Sequence, residues 1–314
     1  MNITREAALN ANRPTVALVM GDPAGISPEL AAKLLALEEI RSAARIVVIG
    51  DRRILATGEQ AAGVKLELAC RKRDERVEPA DVPIFIDLEN LSPNEVCRSE
   101  ATASGGAFAS ENFLTALSMA KAGKVDAVCF TPFNKQAMRM VNPGYEDEIR
   151  YVAEAIGYTG VAREFNILEG LWNARVTSHI PLRDVASALT KDLILAELGL
   201  ADRCLREAGV ARPRIAVAAI NPHAGDGGNC GDEELRVIGP AVEEAIAKGY
   251  EASGPYPADT VFVRARSGAF DAVLTMYHDQ GQIAMKLMGF DRGVTLWGGF
   301  PFPTPTPPPA PAEL

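Results

Sequence analysis

Histidine is scarce in this chain: there are three among 314 residues. Five cysteines (Cys70, Cys97, Cys129, Cys204, Cys230) are scattered, odd in number and never spaced Cys-x-x-Cys, so the sequence offers neither a disulfide framework nor a thiolate zinc site and fits a reducing compartment. No apolar run reaches the roughly 18 residues needed to span a bilayer, and no basic-then-apolar leader is visible, so a soluble cytoplasmic protein is expected. Basic residues are outnumbered, 32 against 41 acidic, for a formal charge of -9. That balance argues against binding along a nucleic acid backbone, which needs a broad basic surface. An anionic small molecule could still bind, provided the site supplies its own cations or a metal.

What is present is a hydrophobic content of 47%, enough to bury one large core or two smaller ones. Short apolar runs alternate with longer amphipathic ones, the pattern of an α/β protein with a mostly parallel sheet covered by helices. Strands are expected at 15–20, 45–50, 83–86, 126–130, 175–178, 214–220 and 271–276. Ser27-Pro28-Glu29 reads as a helix N-cap, an N1 proline and an early acid. Comparable helix starts stand at Thr190 and Asp232, and Gly209 and Gly249 are expected to stop the helices before them. Gly21–Ser27 could cradle an anion at a helix start or could simply be a capped turn. Seven of the eleven residues from Pro301 to Pro311 are proline, which reads as an extended tail.

Each histidine follows an expected strand: His179 after 175–178, His223 after 214–220 and His278 after 271–276. Strand ends of an open parallel sheet converge on one crevice, where three neutral imidazoles would suit a divalent ion with positions left open for substrate. The alternative is three histidines satisfied in turns. Asp279 beside His278 offers an acceptor for the ring or for a substrate proton. Asp259, in the rigid Gly254-Pro-Tyr-Pro-Ala-Asp turn, is either a further site carboxylate or a solvated turn acid. Lys286, among apolar neighbours, is either a snorkelling side chain or an amine that binds an anion or moves a proton.

Six segments in order resemble the 4-hydroxythreonine-4-phosphate dehydrogenase (PdxA) family. They are Gly21-Asp-Pro-Ala-Gly-Ile-Ser-Pro-Glu29, Thr131-Pro-Phe-Asn-Lys135, His179-Ile-Pro-Leu182, Asn221-Pro-His-Ala-Gly225, Pro257-Ala-Asp-Thr260, and Tyr277-His-Asp-Gln-Gly281 with Lys286 beyond it. The resemblance implies an isocitrate/isopropylmalate dehydrogenase-like fold of two α/β/α lobes. Residues 1–140 would form a first α/β domain and 141–303 a metal, substrate and dimerisation domain, with 304–314 an aberrant proline-rich tail. It implies metal-dependent oxidation of a small anionic hydroxy acid by NAD or NADP, with decarboxylation where a carboxylate is suitably placed. The absence of Gly-x-Gly-x-x-Gly is consistent with that family, which binds nicotinamide without a Rossmann domain. His179 and His223 of one subunit with His278 of its dimer mate would hold zinc, magnesium, cobalt or manganese. Lys286 would contact substrate, and Asp259, Asp279 and Lys286 are the candidates for proton transfer. The same histidine site could instead serve a hydrolase or lyase without nicotinamide, or survive in a non-catalytic paralogue.

The sequence departs from the family in four places. Where a substrate-binding Gly-His-Thr-Glu is expected it has Pro143-Gly-Tyr145-Glu146-Asp147-Glu148, an acidic run expected to repel phosphate. Thr295 and Thr304 stand where the family has a substrate-binding asparagine and arginine. After Pro303 the family's His-Gly-Thr-Ala segment and closing helices are replaced by the proline tail, from which weakened cofactor binding is expected. These departures favour a relative acting on sugar-acid derivatives or dihydrodiols of aromatic acids.

Overall fold

The computed structural model describes residues 13–73, 75, 80, 82–289 and 292–306. Two compact units are resolved, one of residues up to 161 with 300–305, the other of residues 162–299. The expected boundary at 140 is displaced because the segment after it packs onto the first unit: Tyr151 stacks on Phe113 with ring centroids 5.9 Å apart, and Ser110 and the Tyr151 hydroxyl lie 2.5 Å apart.

The first unit runs β1 (Thr15–Val19), α1 (Ser27–Ala36), α2 (Glu38–Ala43), β2 (Arg45–Gly50), α3 (Arg52–Ala62), β3 (Ala69–Lys72), β4 (Ile84–Asp87), α4 (Ala103–Lys121), β5 (Ala127–Phe130), α5 (Lys135–Val141) and α6 (Glu148–Ile156). Its sheet has the order β3-β4-β2-β1-β5 with every pairing parallel. Strands buried on both faces need apolar residues at every position, which is why Ile46-Val-Val-Ile49 shows no alternation. Leu18, Val48 and Phe85 pack with Ala31, Leu35 and Phe108 of the covering helices. Gly106 of α4 is a packing glycine, since a β-carbon there would run into the Ala137 carbonyl of α5.

The second unit runs β6 (Arg163–Leu168), β7 (Leu171–Arg175), α7 (Leu182–Ala188), α8 (Lys191–Glu207), β8 (Arg214–Ala218), α9 (Gly239–Ala247), β9 (Glu251–Tyr256), α10 (Ala258–Arg266), β10 (Ala272–Thr275), α11 (His278–Gly289) and β11 (Val294–Gly298). The order β11-β6-β7-β10-β8-β9 is antiparallel through its first three strands and parallel thereafter. Alternate residues feed two cores. Ile215, Val217 and Leu274 meet α8 and α9, whereas Ala216, Ala218 and Val273 meet Val261, Phe262 and Met285 of α10 and α11. A last short strand, Thr304–Thr306, lies where the chain passes between units; residues 307–314, most of the expected tail, fall outside those described.

The strand expected at 175–178 is Leu171–Arg175 instead. Its alternate polar residues, Asn173 and Arg175, are buried, so the strand lacks the unbroken apolar run that marks its parallel neighbours. Ser27 is not a cap either: Ile26 occupies that position without a side-chain bond. The Ser27 hydroxyl accepts from Gly21 N at 2.9 Å and lies 2.5 Å from the Thr131 hydroxyl, tying the ends of β1 and β5 together. Thr190 does cap α8, accepting from Leu193 N, and Gly209 and Gly249 adopt the positive φ expected beyond a helix end. Asp232 accepts from Leu235 N and Arg236 N through its carbonyl, ahead of a π-turn (Glu234–Ile238) that leads into α9.

Candidate active site

Strands β7, β10 and β8 are consecutive neighbours, so the segments leaving their carboxyl ends share one edge of the second unit. His179, His278 and His223 stand on those three segments. His179 and His278 come together, with ring centroids 5.5 Å apart and planes inclined by 41°. Asp279 Oδ1 lies 2.7 Å from His278 Nδ1. A carboxylate can only accept, so the proton belongs on Nδ1 and Nε2 is left as the lone-pair donor of the neutral ring. His223 is exposed on its own turn, and among the described residues no group of three metal-ligating side chains assembles within the chain.

The supports of these rings are specific. Gln280 accepts from Met276 N and donates to Ala219 O, both at 2.7 Å, lacing the end of β10 to the end of β8. Gly281 lets α11 lie directly on β7, because a β-carbon there would meet the fully buried Asn173 amide. The His223 turn is left-handed for five residues, with φ of 54°, 54°, 80°, 44° and 65° from His223 to Gly227. Three of those residues are not glycine, and the conformation is costly for them. Glu234, 4% exposed, holds the turn by accepting from Ile220 N at 2.9 Å, Asn221 N at 2.8 Å and Asn221 Nδ2 at 2.9 Å.

Beside the paired histidines lies a pocket of about 280 Å³ that also presents Lys286, Gln282, Asn166 and Thr295. Its floor is a polar network. Asn166 Oδ1 accepts from Gln282 Nε2 at 2.7 Å and from Arg175 Nη1 at 2.8 Å, Asn166 Nδ2 donates to Thr295 Oγ1 at 3.4 Å, and Arg175 pairs with Glu164. Burial lowers the Arg175 pKa while Glu164 opposes the shift. Glu164, Asn166, Arg175 and Gln282 escaped the sequence reading. The signal available was the polar alternation of Arg163-Glu-Phe-Asn-Ile-Leu, which marks a strand with one wettable face.

Of the expected site residues, then, His179, His278, Lys286 and Thr295 share one pocket, and Asp279 reaches it through His278. Asp259 is exposed in the first turn of α10. Tyr145, Glu146 and Thr304 belong to the first unit. Tyr145 is 4% exposed, and its hydroxyl donates to Glu148 Oε1 at 2.8 Å. Desolvation, reinforced by Glu148, raises its pKa far above the ordinary phenol value. Glu146 pairs with Arg150, and Glu148 sits 3.6 Å from Lys135. Thr304 is fully buried, and its hydroxyl has no partner among the described residues. At the Gly21 segment the N–H groups of Gly21, Asp22 and Ala24 all have acceptors within the unit, as a turn rather than an open anion cradle requires.

Comparison with known proteins follows this geometry. The sequence model described as pyridoxal phosphate biosynthetic protein PdxA matches residues 42–308. A protein of Rhizobium meliloti named provisionally as a second 4-hydroxythreonine-4-phosphate dehydrogenase is 60% identical over 92% of this chain and 84% of its own length. D-threonate 4-phosphate dehydrogenase of Salmonella typhimurium is 37% identical over 92% of this chain and 88% of its own. The crystal structure of 4-hydroxythreonine-4-phosphate dehydrogenase from Klebsiella pneumoniae superposes with a TM-score of 0.84 at 37% identity, covering 95% of this chain and 90% of that one.

Proposed function

The chain belongs to the PdxA family, and on that premise we propose that it oxidises the secondary alcohol of a small phosphorylated hydroxy acid, of the D-threonate 4-phosphate class, with NAD or NADP as acceptor. It is a dehydrogenase acting on a CH–OH group, with the isocitrate/isopropylmalate dehydrogenase-like fold of its structural relatives. The observation that carries the substrate site is the convergence of His179, His278 and Lys286 on one pocket floored by amide and hydroxyl groups. Each of the named relatives carries a phosphate in its substrate name, and D-threonate is a sugar acid, so of the two classes favoured by the departures in sequence the sugar-acid derivatives are kept, in phosphorylated form.

The donor set fits a divalent ion. Two imidazoles stand side by side, the Nδ1 of one facing Asp279, and His223 is carried on a neighbouring segment of the same sheet edge. Nitrogen donors favour zinc or cobalt over magnesium, with manganese between them. When bound, the metal would lower the pKa of the substrate hydroxyl and stabilise the oxygen charge that develops as hydride leaves. Oxidation takes a hydride from the carbinol carbon to the nicotinamide and a proton from the hydroxyl to a base on the protein. Lys286 supplies positive charge for the anionic substrate. Asp279, which holds the His278 ring, and Asp259 are the remaining candidates to move the proton. Asn166, Gln282 and Thr295 offer donors and acceptors that orient the substrate body.

We place the site in a homodimer in which His179 and His223 of one subunit are joined by His278 of its dimer mate. Support comes from α11, where Ile283 and Leu287, one helical turn apart, are 60% and 84% exposed on the helix that carries His278 and Lys286. The reading places the enzyme in the cytoplasm, where nicotinamide and phosphorylated acids are available; among the described residues no helix is long and apolar enough to cross a membrane. The test is formation of NADH or NADPH with D-threonate 4-phosphate and with 4-hydroxythreonine 4-phosphate, in the presence of each metal and after chelation. Substrate-dependent reduction that chelation abolishes supports the reading. Metal-dependent turnover of these compounds without nicotinamide reduction would replace it with a lyase or hydrolase.

A further inference from the structure

At the amino-terminal edge of the first unit's sheet, opposite the strand ends tied by Gly21, Ser27 and Thr131, lies a second pocket of about 140 Å³. Four cations line it. Arg13 precedes β1, Arg41 comes from α2, Arg45 begins β2, and Lys124 stands in the turn before β5. Among the described residues none of the four pairs with a carboxylate, although the chain as a whole carries an excess of acids. Asp126, two residues from Lys124, spends Oδ2 on Thr15 N at 2.7 Å.

The guanidinium groups are held in place rather than waving in solvent. Arg13 Nη1 donates to Arg41 O and Arg41 Nη1 to Leu35 O, each at 2.7 Å. Yet among the described residues the buried Nε atoms of both Arg13 and Arg45 have no acceptor. A buried donor without a partner is costly, and four cations around one cavity repel one another, so the arrangement is stabilised by whatever brings anionic acceptors into it. The remaining wall is apolar, from Ile46, Val47, Val82 and Ile84. We propose that this cavity is an anion site, lined by residues other than those of the second unit's pocket, for a small phosphate-bearing molecule: the phosphate oxygens accept from the guanidinium groups of Arg13, Arg41 and Arg45 and from Lys124, and a short carbon body lies against the apolar wall. Arginine forks match phosphate geometry, and the site shares no lining residue with the second unit's pocket, so its occupancy acts on stability or regulation.

Calorimetric titration of the full chain with inorganic phosphate, at fixed ionic strength set by chloride, tests the proposal. Because Lys286 offers a second place for phosphate, the titration is run on the wild type, on Lys286→Ala, and on Lys124→Gln and Arg45→Gln, each in the Lys286→Ala background and alone. The expected result is one binding event that survives Lys286→Ala and weakens about tenfold or more in Lys124→Gln and in Arg45→Gln, as loss of one charge-assisted contact requires. Turnover with saturating substrate should be unchanged in Lys124→Gln alone. No event in Lys286→Ala, or equal affinity with and without Lys124→Gln, overturns the proposal. Lys124 is exposed, so that variant decides the matter even if Arg45→Gln fails to fold.

Discussion

Gly281→Ala isolates the close approach that seats α11 on the sheet. The new methyl would stand 2.6 Å from Asn173 Cγ and 2.6 Å from its Nδ2, well inside van der Waals contact. Asn173 cannot swing away: it is fully buried, and its Nδ2 donates to Ala174 O and Val273 O, both at 3.1 Å, and to Thr275 Oγ1 at 3.3 Å. The helix must therefore lift, or the amide must break bonds in the centre of the sheet. Overpacking of this kind costs about 1–3 kcal/mol. Lifting α11 also carries His278, Gln282 and Lys286 off their positions, and a misplacement near 1 Å costs roughly a hundredfold in rate. Denaturant unfolding and kcat/KM should fall together. The double variant Asn173→Ala/Gly281→Ala removes the obstruction, so its loss should be smaller than the sum of the single losses by more than about 0.5 kcal/mol, the usual scatter of independent sites. A strictly additive cycle, or a Gly281→Ala chain as stable and as active as the parent, would refute the packing argument.

Asp279→Asn replaces the carboxylate that holds the His278 proton on Nδ1 with a neutral, weaker acceptor, and metal affinity should drop by about 10–100-fold, read by titration with Co²⁺ or Zn²⁺. Asp271 has its carboxyl held below the usual range, first by the hydrogen bond from Arg214, against the opposing effect of burial. A depressed carboxyl contributes stability that is present above its unfolded pKa near 3.9 and lost as pH falls through the lower folded value. Asp271→Asn should therefore lower the urea midpoint at neutral pH and flatten its acid-side decline; parallel pH profiles would count against the assignment. Leu287→Asp puts charge on the most exposed apolar side chain of α11 and should shift the sedimenting species from dimer to monomer at micromolar concentration, with loss of turnover.

Much of the fold was readable because parallel strands buried on both faces leave unbroken apolar runs: Arg45–Gly50 is a strand with the bounds its sequence predicts, and the strands at 15, 84, 127, 214 and 272 start within a residue of expectation. The strands that were not foreseen, β3, β6, β9 and β11, lie at sheet edges or carry polar residues on one face, where the run is interrupted. The histidines were legible by position alone, since each follows a strand. That His179 and His278 are the pair that meets was not, because it depends on β10 being inserted between β7 and β8, and strand order is not written in local periodicity. The floor beneath them was hidden for the same reason that displaced β7: Asn173 and Arg175 are buried polar residues with partners on β6 and β10, and a window of sequence shows the polarity without the partners.

The acidic run at 143–148 shows what counting charges without partners does to an inference about ligands. Read as sequence, three carboxylates in a row repel a phosphate. In the folded first unit Glu146 is paired with Arg150, Glu148 accepts from the Tyr145 hydroxyl and lies beside Lys135, and Asp147 caps α6 by accepting from Arg150 N at 2.8 Å. Each charge is thus met by a cation or by the positive end of a helix, and beyond about 8 Å at physiological salt what remains is screened. The same reasoning removes the objection from the overall charge of -9: a ligand feels the groups within a Debye length, not the sum over the surface. In the second unit those groups include Lys286 and, under the pocket, the Arg175–Glu164 ion pair. Replacing Glu164 with Gln should therefore strengthen binding of a phosphorylated substrate, lowering KM with little change in kcat, whereas a pocket governed by the net charge of the chain would leave KM where it was.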